Sequence, residues 1–383
     1  MTTSSIAISP YFGGFILETL TVGMYGESRH ALREYIQNAF DGIQRARQAS
    51  VLDRNDGHIS IKLDAAGDSI SIRDNGIGLP NRSAADTLVS IGASGKNYQR
   101  EAGFRGIGRL AGIVFCDTLV FRTKSAGDDA VVTVVYDARG MRDAMKPGSA
   151  SAMSAERMIT SFVTATRGAA RDIGEHFFEV TLQGFQDAPE ECTSIPKLRD
   201  YLSQIAPVAY DSNIPSKLRT VLEEGQVREK SEIETVKISI VDPHSEIEVF
   251  KPYQSVYRVG RESTESGEIE ETAQAVLSEI HLEHGTDWWG WWGDKDQPGQ
   301  YSDARVSGIR IRVKNIQIDG TEVFREIFKR KKPSYIRFQD WFVGEIFVRA
   351  DALVPNARRD GFEENAAWKA VRSQWTVLAG KLA

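Results

Sequence analysis

The sequence predicts an α+β chain of two folded units joined by a helical connector, and three features carry that prediction. Residues 28–48 repeat apolar side chains at the helical period, residues 59–73 alternate them at the strand period on both sides of a turn, and the second half returns to strand-like runs before a terminal helix. At 383 residues the chain exceeds one typical domain. Its 41% hydrophobic and 26% charged residues can build packed cores and exclude an extensively disordered chain.

In the first helix Leu32, Ile36, Ala39, Phe40 and Ile43 share one face, with Ser28 placed to cap it. Ile59, Ile61 and Leu63, a turn at Asp64 to Asp68, and Ile70 and Ile72 then read as a hairpin. Residues 80–108 are rich in glycine, serine and charge with only short apolar runs, the composition of a long functional loop or lid. Strand-like runs follow at Thr118–Thr123, Val131–Tyr136 and Phe177–Leu182, giving a first unit over residues 1–190. Residues 191–232 read as a helical, charged connector broken at Pro207. The second unit, 233–383, has strands at Val236–Val241, Gly308–Ile318 and Trp341–Val348 and a helix after Phe362.

A net charge of −6 gives no global attraction to nucleic acid or to an anionic membrane. Cys116 and Cys192 stand far apart without further ligands at metal spacing, which excludes a disulfide framework or a cysteine zinc site and fits a reducing, cytoplasmic setting. No leader-like segment or bilayer-length apolar run is read, so no membrane role is expected.

Chemistry concentrates in the first 110 residues. Glu34, Asn38 and Asp41 lie at i, i+4 and i+7 on the first helix, so an acid, an amide and a second acid point away from its apolar face. A lone stripe of this kind is ordinarily a solvated surface. The hairpin runs straight into Asp74-Asn75-Gly76-Ile77-Gly78, a carboxylate at a strand end followed by glycines that let backbone approach a ligand. Gly103-Phe104-Arg105-Gly106-Ile107-Gly108 then opens an apolar, helix-like segment, and free amides at such a start bind phosphate. This is neither a Walker A loop nor a dinucleotide fingerprint.

Taken in order, these three segments resemble the N, G1 and G2 boxes of the ATPase superfamily of gyrase, heat-shock protein 90, histidine kinases and MutL. Ile91-Gly92-Ala93-Ser94-Gly95-Lys96 is similar to the segment that opens the ATP lid in the heat-shock protein 90 and MutL branches. The resemblance covers roughly residues 15–185 and implies a Bergerat-type ATP-binding sandwich, with helices on one face of a mixed sheet. It implies ATP and Mg²⁺ as cofactors, with Asn38 as the metal ligand, Glu34 as the base that activates water, and Asp74 accepting from the adenine amino group. Asp41, Gly76, Gly78, Ser94, Lys96, Gly103, Gly106 and Gly108 complete the implied nucleotide site. One departure stands out. The threonine that family members often place before the domain's closing strand is not evident in Gly174-Glu175-His176-Phe177.

In the second half, Leu353-Val354-Pro355-Asn356-Ala357-Arg358-Arg359-Asp360 resembles the loop of the heat-shock protein 90 middle domain that sends an arginine to the γ-phosphate, with Arg359 at that arginine's place. The resemblance thus implies an ATPase clamp acting on a protein client, with a nucleotide-dependent dimer open to it. The alternative is a DNA-associated ATPase like MutL or the microrchidia proteins, which the acidic balance disfavours. Placed at the start of the chain, the ATPase boxes also disfavour a histidine kinase. His281 and His284 are read as surface residues rather than metal ligands. The cluster Trp288, Trp289, Trp291 and Trp292 fits a protein-binding surface or a buried face equally, and Lys329–Lys332 reads as an exposed loop.

Overall fold

The computed structural model describes residues 11–20, 29–64, 68–92, 108–146, 153–242, 245–262, 269–318, 320–356 and 358–383. A short helix α1 (Phe15–Leu20) precedes α2 (His30–Gln48), and the hairpin β1 (His58–Leu63) and β2 (Ser69–Asp74) follows. Then come α3 (Ala84–Val89), a 3-10 helix over Gly108–Val114, β3 (Cys116–Lys124), β4 (Ala130–Asp137), α4 (Ala138–Met145), α5 (Ala155–Phe162), β5 (Val163–Ala169) and β6 (Phe177–Phe185). The connector contains α6 (Ile195–Ile205) and α7 (Ser216–Glu229), with Pro207 in the break between them, as the sequence indicated.

The strands expected at 118–123, 131–136 and 177–182 are present and slightly longer, and β1 and β2 pair antiparallel with Ile61 opposite Ile72. Ser28 lies outside the described residues, as does most of the region read as a lid. The next strand shows a difference. β7 (Lys237–Val241), expected in the second unit, runs parallel to β1 with Ile59 beside Ile238 and Ile61 beside Ile240. With β8 (Glu246–Glu248) it completes an eight-stranded sheet ordered β5-β4-β3-β6-β2-β1-β7-β8. Ile238 and Ile240 join the core formed by the apolar face of α2, and α6 contributes Leu198, Leu202 and Ile205 to the same core.

A second, seven-stranded sheet is built from β9 (Val256–Glu262), β10 (Ile269–Gly285), β11 (Trp288–Lys295), β12 (Gln300–Tyr301), β13 (Gly308–Val313), β14 (Ile316–Ile318) and β15 (Val343–Val348). The run expected as one strand over 308–318 is a hairpin. Lys314 and Asn315 carry φ of 53° and 59° and turn β13 into β14, the geometry of a two-residue loop that suits the sheet twist. Helices α8 (Glu322–Lys331) and α9 (Ala366–Leu382) cover one face with Trp288, and α7 covers the other with Trp289 and Trp291. The tryptophan cluster is therefore divided between two cores, because neighbouring strand residues point to opposite faces. His281 stacks on Trp292 at 4.0 Å, and no group of three metal-binding side chains occurs among the described residues. Lys329, Arg330 and Lys331 form the last turn of α8 rather than a loop, where cations complement the helix dipole.

Beneath these layers is a polar joint. Glu345 is fully buried and pairs with Arg312 and with Lys251 (3.1 Å to Nζ), and it accepts from the Tyr210 hydroxyl. Arg312 also donates to the carbonyls of Gln204 in α6 (2.8 Å) and Asn315 (3.1 Å). Burial alone would raise the Glu345 pKa, yet the adjacent Arg312 and Lys251 charges hold it down at about 2. A carboxylate depressed in the folded state stabilises the fold above its unfolded pKa of about 4.3, and that contribution disappears as pH falls through about 2. Glu345→Gln leaves the buried Arg312 guanidinium uncompensated and should cost about 3–5 kcal/mol at neutral pH. Denaturant unfolding of parent and variant checks this, and the difference between them should shrink as pH is lowered toward 2.

Candidate functional site

The candidate site lies along one flank of α2. Leu32, Ile36, Ala39, Phe40 and Ile43 bind the helix to the sheet, leaving Glu34 and Asn38 half-buried beside that face. The expected third member differs in kind from a solvated surface group, since Asp41 is only 2% exposed. Asp74 ends β2, 3% exposed, and accepts the Gly76 amide at 2.8 Å. The turn after it lies on α2 so closely that a Cβ on Gly76 would fall 2.5 Å from the Gly42 carbonyl carbon and 2.6 Å from Asp74 Oδ1. The Ile77 amide donates to the Gly42 carbonyl at 3.1 Å, which pins strand end to helix. Gly78 has φ +66°, and a Cβ there would meet the Lys124 carbonyl oxygen at 2.0 Å, so this position requires glycine on both counts.

Gly108 begins the 3-10 helix directly against the acid. A Cβ on it would sit 2.0 Å from Glu34 Oε2, so the backbone of the glycine segment meets the Glu34 carboxylate with no side chain between them. Ser94, Lys96, Gly103 and Gly106 lie outside the described residues. An arrangement with an acid, an amide and glycine backbone on one side and a buried acceptor in a glycine turn on the other can hold a phosphorylated base. The amide and carboxylate oxygens of Asn38 and Glu34 are donors of the type that a hard cation takes.

Three residues that the sequence reading did not single out hold this site together. The Thr123 hydroxyl accepts the Leu79 amide at 2.9 Å and donates to the Phe177 carbonyl at 3.1 Å, joining the glycine turn to β3 and β6. Tyr35 donates to the Arg109 carbonyl at 3.1 Å and accepts the Gly112 amide at 2.9 Å, fixing the 3-10 helix on α2. His176 Nδ1 lies 2.9 Å from the Gly76 carbonyl, an acceptor only, so Nδ1 carries the proton in this contact. It stands in the stretch where the family threonine is not evident. Tyr35 follows Glu34 directly and gives no signal apart from the core pattern. Arg109 donates to the Thr87 carbonyl, and burial pushes its pKa down.

Arg359 occupies a loop closed by the Pro355–Phe362 bridge and by bonds from Asn356 N to the Gly361 carbonyl (3.1 Å) and Glu363 N to the Val354 carbonyl (2.9 Å). It is 6% exposed at φ +57°, whereas Arg358 beside it is exposed. That left-handed conformation costs on the order of 1–2 kcal/mol for a residue other than glycine, so the surrounding bonds must hold it. The Asn356 side chain does so, donating to Asp360 at 2.6 Å while the Arg359 amide donates to the Asn356 carbonyl at 3.2 Å. The loop meets the site helix through Arg33, whose Nη2 donates to the Arg358 carbonyl at 2.9 Å.

Residues 26–161 match the family model described as histidine kinase-, DNA gyrase B-, and HSP90-like ATPase. The chain is similar to the Chaperone protein HtpG of Salinispora arenicola, with 28% identity over 133 residues, 30% of this chain and 21% of that protein. Similar stretches of the Chaperone protein HtpG of Mycobacterium avium (29% over 136 residues) and Mycobacterium tuberculosis (28% over 135 residues) each cover 30% of this chain and 21% of theirs. The matched segment thus spans about a fifth of these relatives' length. The resemblance to the superfamily holds for residues 26–161, which contribute α2 and strands β1 to β4 of the mixed sheet. No described helix is long and apolar enough to cross a membrane.

Gly108→Ala tests the contact between glycine backbone and acid. The Cβ would overlap only the end of the flexible Glu34 side chain, so the fold should persist while the carboxylate is displaced. The expected result is a melting temperature near the parent's, with any phosphate-release activity that depends on the Glu34 carboxylate reduced at least about tenfold by its displacement.

Proposed function

We propose that this chain binds and hydrolyses ATP as a conformational clamp that acts on a protein client. The observation that carries the reading is the meeting of Glu34, Gly108 and the Asp74–Gly78 turn on α2, inside the segment that matches the ATPase family. Asp74 would accept from the adenine amino group, and Asn38 would hold Mg²⁺ on the phosphate side. When bound, the cation supplies neutralisation of phosphate charge. Glu34 orients a water and takes its proton as the water oxygen bonds to the γ-phosphorus. The bond to the β-phosphate oxygen then breaks to leave ADP and phosphate.

Arg359 would stabilise the charge that develops on the transferred phosphoryl group. Its loop contacts α2 one residue before Glu34, which supports a shared task for the two halves and a middle-domain role for the second. The client reading rests on the similarity to chaperones. Folds do not fix functions, so the client and any nucleotide-dependent dimer belong to this proposal.

Phosphate release and equilibrium ATP binding test the assignments together. Glu34→Ala should retain binding and lose turnover, Asp74→Asn should weaken binding itself, and Arg359→Ala should slow turnover by on the order of 10³-fold at nearly unchanged affinity. Parent-like hydrolysis by Glu34→Ala would overturn the base assignment. Tight ATP-dependent retention of the protein on DNA at physiological salt would replace the client reading by the DNA-clamp one.

A further inference from the structure

Arg33 is buried on the flank of α2 that adjoins the Glu34 and Asn38 stripe, 2% exposed, and Gln37 one turn further along is buried at 1%. Two such polar residues at i and i+4 mark a helix flank covered by another part of the chain rather than by water. The covering part at Arg33 is the arginine loop, reached across 325 residues of sequence by the 2.9 Å bond from Nη2 to the Arg358 carbonyl. The register of this contact is specific: Arg33 immediately precedes Glu34, and Arg358 immediately precedes Arg359. Because the acceptor is backbone, the bond constrains the path of the loop itself. The cross-bonds from Asn356 to Asp360 and Gly361 transmit that constraint to Arg359. A guanidinium donating to a carbonyl makes a charge-assisted bond, stronger than a neutral pair and directional through its planar fork.

We propose that Arg33 is a positioning residue that latches the arginine loop onto α2, so that Glu34 and Arg359 are presented to the same phosphate in a fixed relation. This rests on the assignment of Glu34 and Arg359 to ATP hydrolysis. Arg33 itself touches neither the reacting atoms nor the base of the nucleotide. Its effect is therefore confined to turnover and works only through Arg359.

The test uses the full chain with Arg33→Met, Arg33→Lys, Arg359→Ala and the Arg33→Met/Arg359→Ala double variant, measuring ATP affinity, kcat and hydrogen exchange over residues 354–363. Arg33→Met should lower kcat about ten- to a hundredfold, since misplacement by about 1 Å has an effect of this size, with ATP affinity unchanged within about twofold. Amide exchange should rise in the 354–363 loop. Arg33→Lys keeps the charge and stem but loses the fork, and should fall between parent and Arg33→Met. The double variant should be no slower than Arg359→Ala alone. If Arg33→Met or Arg33→Lys folds and turns over like the parent while Arg359→Ala is slow, the latch is refuted. Multiplying effects in the double variant would also refute it, because Arg33 would then act independently of Arg359. A parent-like Arg359→Ala would instead remove the underlying role of Arg359, an outcome distinct from failure of the latch.

Discussion

The parallel pairing of β7 with β1 constrains the rest of the molecule. After α7 the chain returns to the first sheet, where the fully buried Ile238 and Ile240 extend the core under α2. A sheet edge with two such residues cannot be left in water at their combined hydrophobic cost of about 3–6 kcal/mol. That return fixes where the second sheet begins. The β13–β14 hairpin then falls against the first unit, with Asn315 Nδ2 donating to the Glu234 carbonyl at 2.9 Å and Ile316 entering the first core. Because β13 pairs with β15, and the arginine loop follows β15, strand pairing brings the loop toward α2, where the bond from Arg33 to the Arg358 carbonyl meets it.

Helix α2 accordingly meets three different demands around its circumference. Its apolar face is bound to the sheet, the Arg33 and Gln37 flank is covered, and the Glu34 and Asn38 flank remains half-buried where the glycine turn and the 3-10 helix meet it. A general base, the role proposed for Glu34, needs this intermediate environment. Full solvation would leave it mobile, and full burial would favour its protonated form. The glycines at 42, 76 and 108 provide the close approach, which any side chain at 76 or 108 would prevent.

What could be read from the sequence follows from which signals are local. Helix α2, the β1–β2 hairpin and the Asp74-x-Gly76-x-Gly78 turn are periodic or motif-like within a few residues, so they were legible. Strand β11 was not, because Trp288 and Trp289 are buried on opposite faces and the alternation that marks a half-buried strand disappears. Strand β5 hides for the opposite reason: six of its seven residues are exposed, leaving no pattern. The membership of β7 in the first sheet is a matter of pairing between residues about 180 positions apart, which no local window contains. Polar residues in tertiary contacts, such as Arg33, Tyr35 and Thr123, carry no composition signal at all.

The second half owes its place to polar chemistry as much as to its cores. Around Glu345 the basic side chains Arg312, Lys251 and Arg310 outnumber the single carboxylate, and burial together with the Arg312 charge pushes the Lys251 pKa well down, so ion pairing alone does not satisfy this buried site. Backbone carbonyls supply the remaining acceptors: Gln204 and Asn315 for Arg312, and Ser307 and Ala304 for Arg310, the latter two at 2.7 Å. A network of this composition ties α6, a β-turn and a loop to one strand, and its directional bonds resist sliding more than an apolar contact of equal area would. Motion between the two sheets would have to break the bond from the fully buried Arg312 guanidinium to the Gln204 carbonyl of α6. The joint therefore favours a fixed relation between the sheets, and leaves the contacts around α2, such as the single bond from Arg33 to the Arg358 carbonyl, as the weaker links between the two halves.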